Sequence, residues 1–128
     1  MQLCTAGDAL LRQPPSPNSP TVAVFFGGTE MDSHDVGVVR VSVPPGGGMP
    51  PHRHSGSDVI LVPTAGSVTI TKEGGQRIEV SVGDAALIGR NEAVALDNPG
   101  ADVAVIIVAA GPADFVAGIR NWPEARAS

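Results

Sequence analysis

Short runs of alternating apolar and polar residues, separated by glycine and proline, follow one another from Thr21 to about residue 110. In the segment 36–43, for example, Val39, Val41 and Val43 share one face, and the two residues between them are polar. Successive side chains of a strand point to opposite faces, so this period of two predicts strands with one buried face. No long stretch shows the 3.6-residue period of a helix, which disfavours folds that alternate strands and helices.

This pattern predicts eight short strands and a single helix. The strands are expected at 21–28, 36–43, 57–62, 67–72, 76–82, 85–89, 93–97 and 101–110, and the helix at 112–122. Residues 44–51 are expected to form a wide turn, and Pro63 to end the strand that precedes it. The run 101–110 is apolar almost throughout and is expected to be buried on both faces. Short strands with turn signals between them predict an all-β sandwich or barrel.

The chain divides into three predicted regions, and its 128 residues suit a single domain. Residues 1–20 form an N-terminal arm, in which prolines between 14 and 20 indicate an extended connector. The first part of the arm is either a short helix or a strap, lying across its own barrel or a neighbouring subunit. Residues 21–111 form the barrel, and residues 112–128 form the C-terminal helix and tail.

Composition and charge narrow the range of partners. The formal net charge is −5 and the chain holds one lysine and no basic run, whereas binding to nucleic acid needs clustered lysine and arginine. No segment approaches the roughly 20 apolar residues of a membrane span, and the N-terminus lacks the pattern of a signal peptide. We therefore expect no nucleic acid, no membrane and, by elimination, a cytoplasmic location. Cys4 is the single cysteine and is expected to be a small apolar residue rather than a reactive thiol.

The residues with the clearest chemistry are His52 and His54. Residues i and i+2 of a strand point to the same face, so the two imidazoles are expected side by side. Imidazole suits Zn, Cu, Fe and Ni, so the pair predicts a metal site; pocket lining without metal and plain surface are the alternatives. Asp58 follows after a Ser-Gly-Ser turn and is expected to supply a carboxylate ligand or to accept a hydrogen bond from an imidazole. Arg53, between the histidines, is expected to point away into solvent.

Around these residues the sequence resembles the first motif of the cupin superfamily. That motif is a glycine, five residues, His-x-His, three or four residues, a glutamate, six residues and a glycine. Gly46, His52 and His54 fit it, Asp58 stands where the family has glutamate, and Gly66 follows after seven residues rather than six. The resemblance implies a jelly-roll barrel, the cupin-type double-stranded β-helix, with a divalent metal in its interior.

The second cupin motif is degenerate. Gly83 and Asn98 match it at the right separation, but Gly89 replaces its proline, Asn91 replaces its second glycine, and Val94 stands at the place of the third metal-binding histidine. Two interpretations follow. The remaining two histidines and a carboxylate resemble the facial triad of non-haem iron sites. Alternatively, the metal site has decayed and the valine adds an apolar wall.

The resemblance implies two functions. The first is a metal-dependent enzyme of the dioxygenase, isomerase or cyclase type, with Fe, Ni, Mn, Cu or Zn held by His52, His54 and Asp58. The alternative is a non-catalytic cupin that binds a small ligand with a decayed or absent metal site. In either case the ligand is expected to be mainly apolar, because the pocket is expected to be lined by Val39, Val41, Val94, Leu96 and Ile107. A homodimer is expected from the resemblance and from the need to cover sheet edges.

Four other residues have less specific expectations. His34 lies in a polar stretch and is expected to be an exposed loop residue, with a replacement ligand at the barrel mouth as the sharper alternative. Trp122 is expected to fix the last helix to the barrel. Of Phe25 and Phe26, on opposite faces of the first strand, one is expected in the core and the other near the pocket or a partner subunit.

Overall fold

The computed structural model describes residues 1–28 and 33–125 of the chain, and almost all of its regular structure is β-strand. The strands are β1 Leu10–Arg12, β2 Thr21–Phe26, β3 Gly37–Val43, β4 Gly48–His52, β5 Asp58–Ala65, β6 Ser67–Lys72, β7 Arg77–Ser81, β8 Ala86–Ile88, β9 Val94–Asp97 and β10 Ala104–Gly111. One helix, α1 Asp114–Ile119, follows the last strand. The all-β prediction with a short C-terminal helix is therefore confirmed.

The strands form two antiparallel sheets that enclose one core. Six strands are ordered β1-β2-β3-β10-β5-β8, and four are ordered β4-β9-β6-β7. Valines from both sheets, such as Val39, Val43 and Val68, are fully buried between them. Aliphatic side chains fill this space because the chain has only 3 % aromatic residues, and β-branched residues pack well on a pleated surface.

Three predicted elements differ from the structure. Residues 48–51, expected within a turn, belong to strand β4 together with His52. Strand β5 continues through Pro63 to Ala65, because its pairing with β10 shifts register beside that proline, and an irregularity is where a strand tolerates a missing N–H. Strand β10 is buried on one face only: Ile106 is 1 % exposed, whereas Ile107 is half-buried. Its other face is the outer face of the six-stranded sheet.

The N-terminal arm adds a strand to its own barrel. Strand β1 pairs antiparallel with β2, so this part of the arm is neither a helix nor a strap on another subunit. The C-terminal tail in turn lies along β1, where the Ala125 amide donates to the Leu11 carbonyl at 3.2 Å and the Gln13 amide to the Pro123 carbonyl at 2.9 Å. The arm and residues 123–125 therefore close the same edge of the sheet.

Helix α1 is shorter than the predicted 112–122 and covers one end of the barrel. Val116 and Ile119 are buried, and Trp122, just past the helix, packs half-buried against the core. Trp122 therefore lies where it was expected. Within the described residues, no helix is long and apolar enough to cross a membrane.

Candidate functional site

A cavity of about 260 Å³ lies between the two sheets. Its walls come from eight of the ten strands, β2 to β6 and β8 to β10, and α1 closes one end. Nearly all of the lining side chains are aliphatic or aromatic, and the ionisable exceptions are His52, Arg53 and His54. A well-formed apolar pocket with a few converging polar groups is the default candidate for a binding site.

The end of β4 positions the two histidines. His52 is the last residue of β4 and lies opposite Val94 of β9, whereas His54 lies beyond the end of the strand. Both nevertheless line the cavity. Their ring centroids are 4.8 Å apart and the ring planes are inclined by 75°. The sequence prediction that two imidazoles face the interior side by side thus agrees with the coordinates.

The hydrogen bond of His52 fixes which of its nitrogens carries the proton. Its Nδ1 lies 2.9 Å from the carbonyl oxygen of Pro50. A carbonyl oxygen only accepts hydrogen bonds, so Nδ1 is the donor. In the neutral ring the lone pair is then on Nε2, the nitrogen left to meet a ligand.

His54 lies deeper than His52. It is 8 % exposed, and its ring meets the edge of the Phe115 ring at 4.7 Å between centroids. Its Nδ1 is buried without a hydrogen-bond partner. Burial, with the nearby His52 as the smaller cause, lowers the pKa of His54 from 6.5 to about 4. The ring is therefore neutral at pH 7.

The structure does not bring Asp58 to the histidines. Its side chain is 56 % exposed and lies 3.8 Å from the Nε of Arg90, and its Oδ1 accepts a hydrogen bond from the Arg90 amide at 3.1 Å. The neighbouring residue, Val59, is 1 % exposed and lines the cavity. Because adjacent strand residues point to opposite faces, Asp58 cannot share the interior with Val59.

The first motif allows three or four residues between His54 and its carboxylate, and the spacing of four agrees with this geometry. With four residues instead of three after His54, the carboxylate position becomes Val59, and six residues then separate it from Gly66. Gly66 has a φ of +68°, a conformation that favours glycine. This spacing can be read from the sequence alone. It points to Val59, but Asp58 is the residue that is chemically similar to the glutamate of the motif.

The second motif also fits the coordinates. Asn91, at the place of a motif glycine, has a φ of +63°, which asparagine tolerates better than most residues. Val94 follows in β9 at the place of the third histidine, is 4 % exposed and lines the cavity. Valines thus occupy the two positions that would complete the ligand set.

The structure places the five residues of the predicted pocket lining in different surroundings. Val41, Val94 and Leu96 line the cavity. Val39 shares the inner face with Val41 but is completely buried in the packed core. Ile107 points to the outer face, and its neighbours on β10, which carry the inner face, take its place in the wall.

The positions expected for two polar residues, His34 and Arg53, can also be compared with the structure. His34 is exposed, as expected for a loop residue, and does not line the cavity. Arg53 contributes to the cavity wall, which was not expected, but its guanidinium lies 3.0 Å from the Glu73 carboxylate and also donates to the Asn91 carbonyl. That positive charge is therefore satisfied by partners on the surface.

Sequence reasoning missed the residues that close the cavity from the C-terminal side. Phe115, Ile119 and Trp122 all line it. The apolar stripe of the predicted helix was a signal that the helix packs on the barrel. It did not indicate that the same stripe faces a cavity, because that depends on which end of the barrel the helix covers.

The donor set does not fit the metal centre implied by the resemblance. Among the described residues, no group of three His, Cys, Asp or Glu side chains is arranged to hold a metal ion. Catalytic metal sites usually have three protein ligands, and here two imidazoles face two valines. A metal-binding histidine also normally donates its second N–H to an acceptor, which the buried Nδ1 of His54 lacks.

Comparisons with known proteins agree with the observed architecture. The family model of the cupin domain matches residues 39–110. A predicted oxalate decarboxylase from Thermotoga maritima is similar with a TM-score of 0.72 and 16 % identity, over 87 % of this chain and 99 % of that one. An uncharacterised double-stranded β-helix protein from Klebsiella pneumoniae has a TM-score of 0.70 and 16 % identity, over 99 % of each chain.

A solved structure of oxalate oxidase is also similar, with a TM-score of 0.65 and 23 % identity, over 77 % of this chain and 53 % of that one. The search of curated proteins gave no match. At these identities the structural similarities establish the fold, a double-stranded β-helix, and leave the chemistry to the residues of this chain.

Proposed function

Since the chain belongs to the cupin domain family, we propose that its cavity binds a small, mainly apolar molecule without a resident metal centre. The observation that carries this proposal is the pair of valines, Val59 and Val94, at the two places where a cupin metal site needs a carboxylate and a third imidazole. A missing ligand lowers metal affinity, and an apolar wall in the same place favours an apolar guest.

The size and lining of the cavity support a guest about as large as a substituted aromatic ring. A cavity of roughly 150 Å³ lined by aliphatic and aromatic residues binds benzene, and this one measures about 260 Å³. Burying apolar surface contributes roughly 25 cal/mol per Å². The guanidinium of Arg53 forms an ion pair with Glu73 at the surface. Among the described lining residues, no unpaired cation is therefore placed to bind an acidic substrate.

Binding of toluene to the full chain after treatment with a chelator tests the proposal. Toluene is expected to bind, and binding is expected to be lost in Val94→Phe, which fills the cavity. A matched control is Val82→Phe, because Val82 is 59 % exposed and lies outside the cavity. Calorimetry and NMR shift changes are the measurements. Toluene binding that Val94→Phe leaves unchanged, or no binding at all, would contradict the proposal.

The second candidate is a metal-dependent enzyme of the dioxygenase, isomerase or cyclase type. One observation favours it: His52 donates Nδ1–H to a carbonyl and leaves Nε2 free, the usual arrangement of a metal-binding histidine. His52 and His54 would hold Fe, Ni, Mn, Cu or Zn, which would act as a Lewis acid or redox centre. A stoichiometric metal that is lost in the double variant His52→Ala, His54→Ala would support this candidate.

A further inference from the structure

We infer that the molecule bound in the cavity carries a neutral hydroxyl group, which donates to His52 and accepts from His54. This inference rests on the proposed function, because it names the chemical class of the guest in the same cavity. Its basis is the different surroundings of the two adjacent rings, which give them opposite hydrogen-bonding roles.

His52 presents an acceptor to the cavity. Its Nδ1–H is used by the Pro50 carbonyl at 2.9 Å, and a neutral imidazole has one donor and one acceptor nitrogen. The Nε2 lone pair is therefore available.

His54 presents a donor. Its Nδ1 is buried with no partner, and a buried N–H without an acceptor is rarer in folded proteins than a buried acceptor without a donor. The proton is therefore on Nε2, and the unpartnered Nδ1 carries the lone pair. The edge contacts with Phe115 and His52 restrain the ring.

One hydroxyl group satisfies both rings at once. It is a donor and an acceptor on a single oxygen atom, and two nitrogens that share one oxygen lie roughly 4 to 6 Å apart, since each N···O distance is about 2.7 to 3.2 Å. The two ring centroids are separated by 4.8 Å, which is on the same scale. An ether or ketone would leave His52 without a donor, and a carboxylate would place a desolvated charge beside its lone pair.

The rest of the wall fits the apolar body of such a molecule. Phe115 and Trp122 line the cavity with aliphatic side chains around them, and aromatic rings favour edge-to-face contacts with one another. A phenol with a small alkyl substituent combines this body with the required hydroxyl.

The experiment compares four probes of nearly equal shape on the chelator-treated full chain: 4-methylphenol, its methyl ether, toluene and 4-methylbenzoate. By calorimetry, 4-methylphenol is expected to bind about tenfold more tightly than the ether or toluene, as one to two net hydrogen bonds imply. The benzoate is expected to bind most weakly. In His52→Phe and in His54→Phe this preference is expected to vanish while toluene still binds, and His34→Phe, on an exposed residue outside the cavity, is the matched control.

The outcomes separate the two proposals. Equal binding of the phenol and its ether, with toluene also bound, would overturn the hydroxyl inference and leave the cavity function intact. No binding by any probe would overturn both. If a phenylalanine variant fails to fold, nitrogen-15 NMR of the unmodified chain decides: the inference requires the Nδ1–H tautomer at His52 and the Nε2–H tautomer at His54, and any other pair of tautomers would contradict it.

Discussion

The two faces of the six-stranded sheet are built from similar aliphatic residues and have different surroundings. On β10, Ile106 is 1 % exposed and lines the cavity, whereas its neighbour Ile107 faces outward and is only half-buried. On β5, Val59 is 1 % exposed and Ile60 is 44 % exposed. Successive residues of a strand alternate between the cavity and the outer surface. This alternation decides where each residue lies, and the hydrophobicity of the residue does not.

The largest predicted difference between the faces is in stability. Ile106→Ala is expected to lower the free energy of unfolding by about 2–4 kcal/mol, because it removes buried methyl groups and enlarges a void. Ile107→Ala is expected to cost less than about 1 kcal/mol, since little buried surface is lost there. Urea denaturation of both variants measures this. Equal losses would mean that the two faces are not distinguished by packing.

The same contrast explains what the sequence could and could not predict. In the segment 36–43 polar residues alternate with valines, so the inner face, including Val41, was predicted correctly. In the run 101–110 almost every residue is apolar, so periodicity is lost and Ile107 was assigned to the wrong face. The expectation for Asp58 illustrates a related difficulty, because a shift of one residue, here from Asp58 to Val59, exchanges the faces of a strand.

The second predicted effect concerns the outer face, where we propose that a second copy of this chain binds. Ile60, Val62 and Leu87 are exposed by 44 %, 38 % and 69 %, and Ile60 pairs with Leu87 across the strands. A face six strands wide, with strands about 4.8 Å apart, presents on the order of 500 Å², which is below the roughly 800 Å² per partner of a standard interface and is in the range of a weaker one. The homodimer expected from the resemblance would then use this face, rather than an edge or the arm.

The matched variants Ile60→Lys and Ile78→Lys test this proposal. Both residues are 44 % exposed, but Ile78 lies on β7 of the four-stranded sheet. Ile60→Lys is expected to weaken self-association by about 100-fold or more, because a symmetric interface would bury the lysine of both copies. Analytical ultracentrifugation measures the mass. A monomeric unmodified chain, or a dimer that survives Ile60→Lys, would rule out this face.

The third predicted effect is on the pH dependence of stability. It concerns only the inner face, because it arises from His54 in the cavity. The pKa of His54 is about 4 in the folded chain and 6.5 as the reference value for the unfolded one. Between these two pH values the unfolded chain binds more protons than the folded chain. The contribution of His54 to stability is therefore full above pH 6.5 and is lost as the pH falls toward about 4. The slope contributed by one proton is at most about 1.4 kcal/mol per pH unit.

Urea denaturation of the unmodified chain and of His54→Phe measures this contribution by difference, since carboxylates titrate similarly in both. The surface variant Val82→Phe, which leaves every histidine in place, is expected to keep the slope of the unmodified chain. If His54→Phe retained the slope as well, His54 would not be the buried neutral base described above.

The smallest predicted effect is at Asp58, on the outer face beside the cavity. Its side chain is more than half exposed and its ion pair with Arg90 is long, at 3.8 Å, so Asp58→Ala is expected to change stability by less than about 1 kcal/mol. Binding of toluene or 4-methylphenol is expected to remain unchanged. Calorimetry measures the binding, and urea denaturation measures the stability. A loss of binding would return Asp58 to the site.

The candidate site could be predicted where its residues lie in one short segment of the chain, and not where it depends on packing between distant segments. His52 and His54 follow from a spacing of two residues within one segment. The closing residues Phe115 and Trp122 depend on the end of the barrel that the helix covers, and no local pattern contains that information. The tautomer of His52 depends on its contact with the Pro50 carbonyl, and the residue pattern alone does not show that contact.

The most direct test of the central claim is the metal content of the full chain after growth with added Fe, Ni, Mn, Cu and Zn. We predict far less than one equivalent of any metal in the unmodified protein. We also predict a gain in Val94→His, which places a third imidazole opposite His52. One equivalent in the unmodified protein that disappears in His52→Ala would contradict the claim that the valines have replaced the metal site.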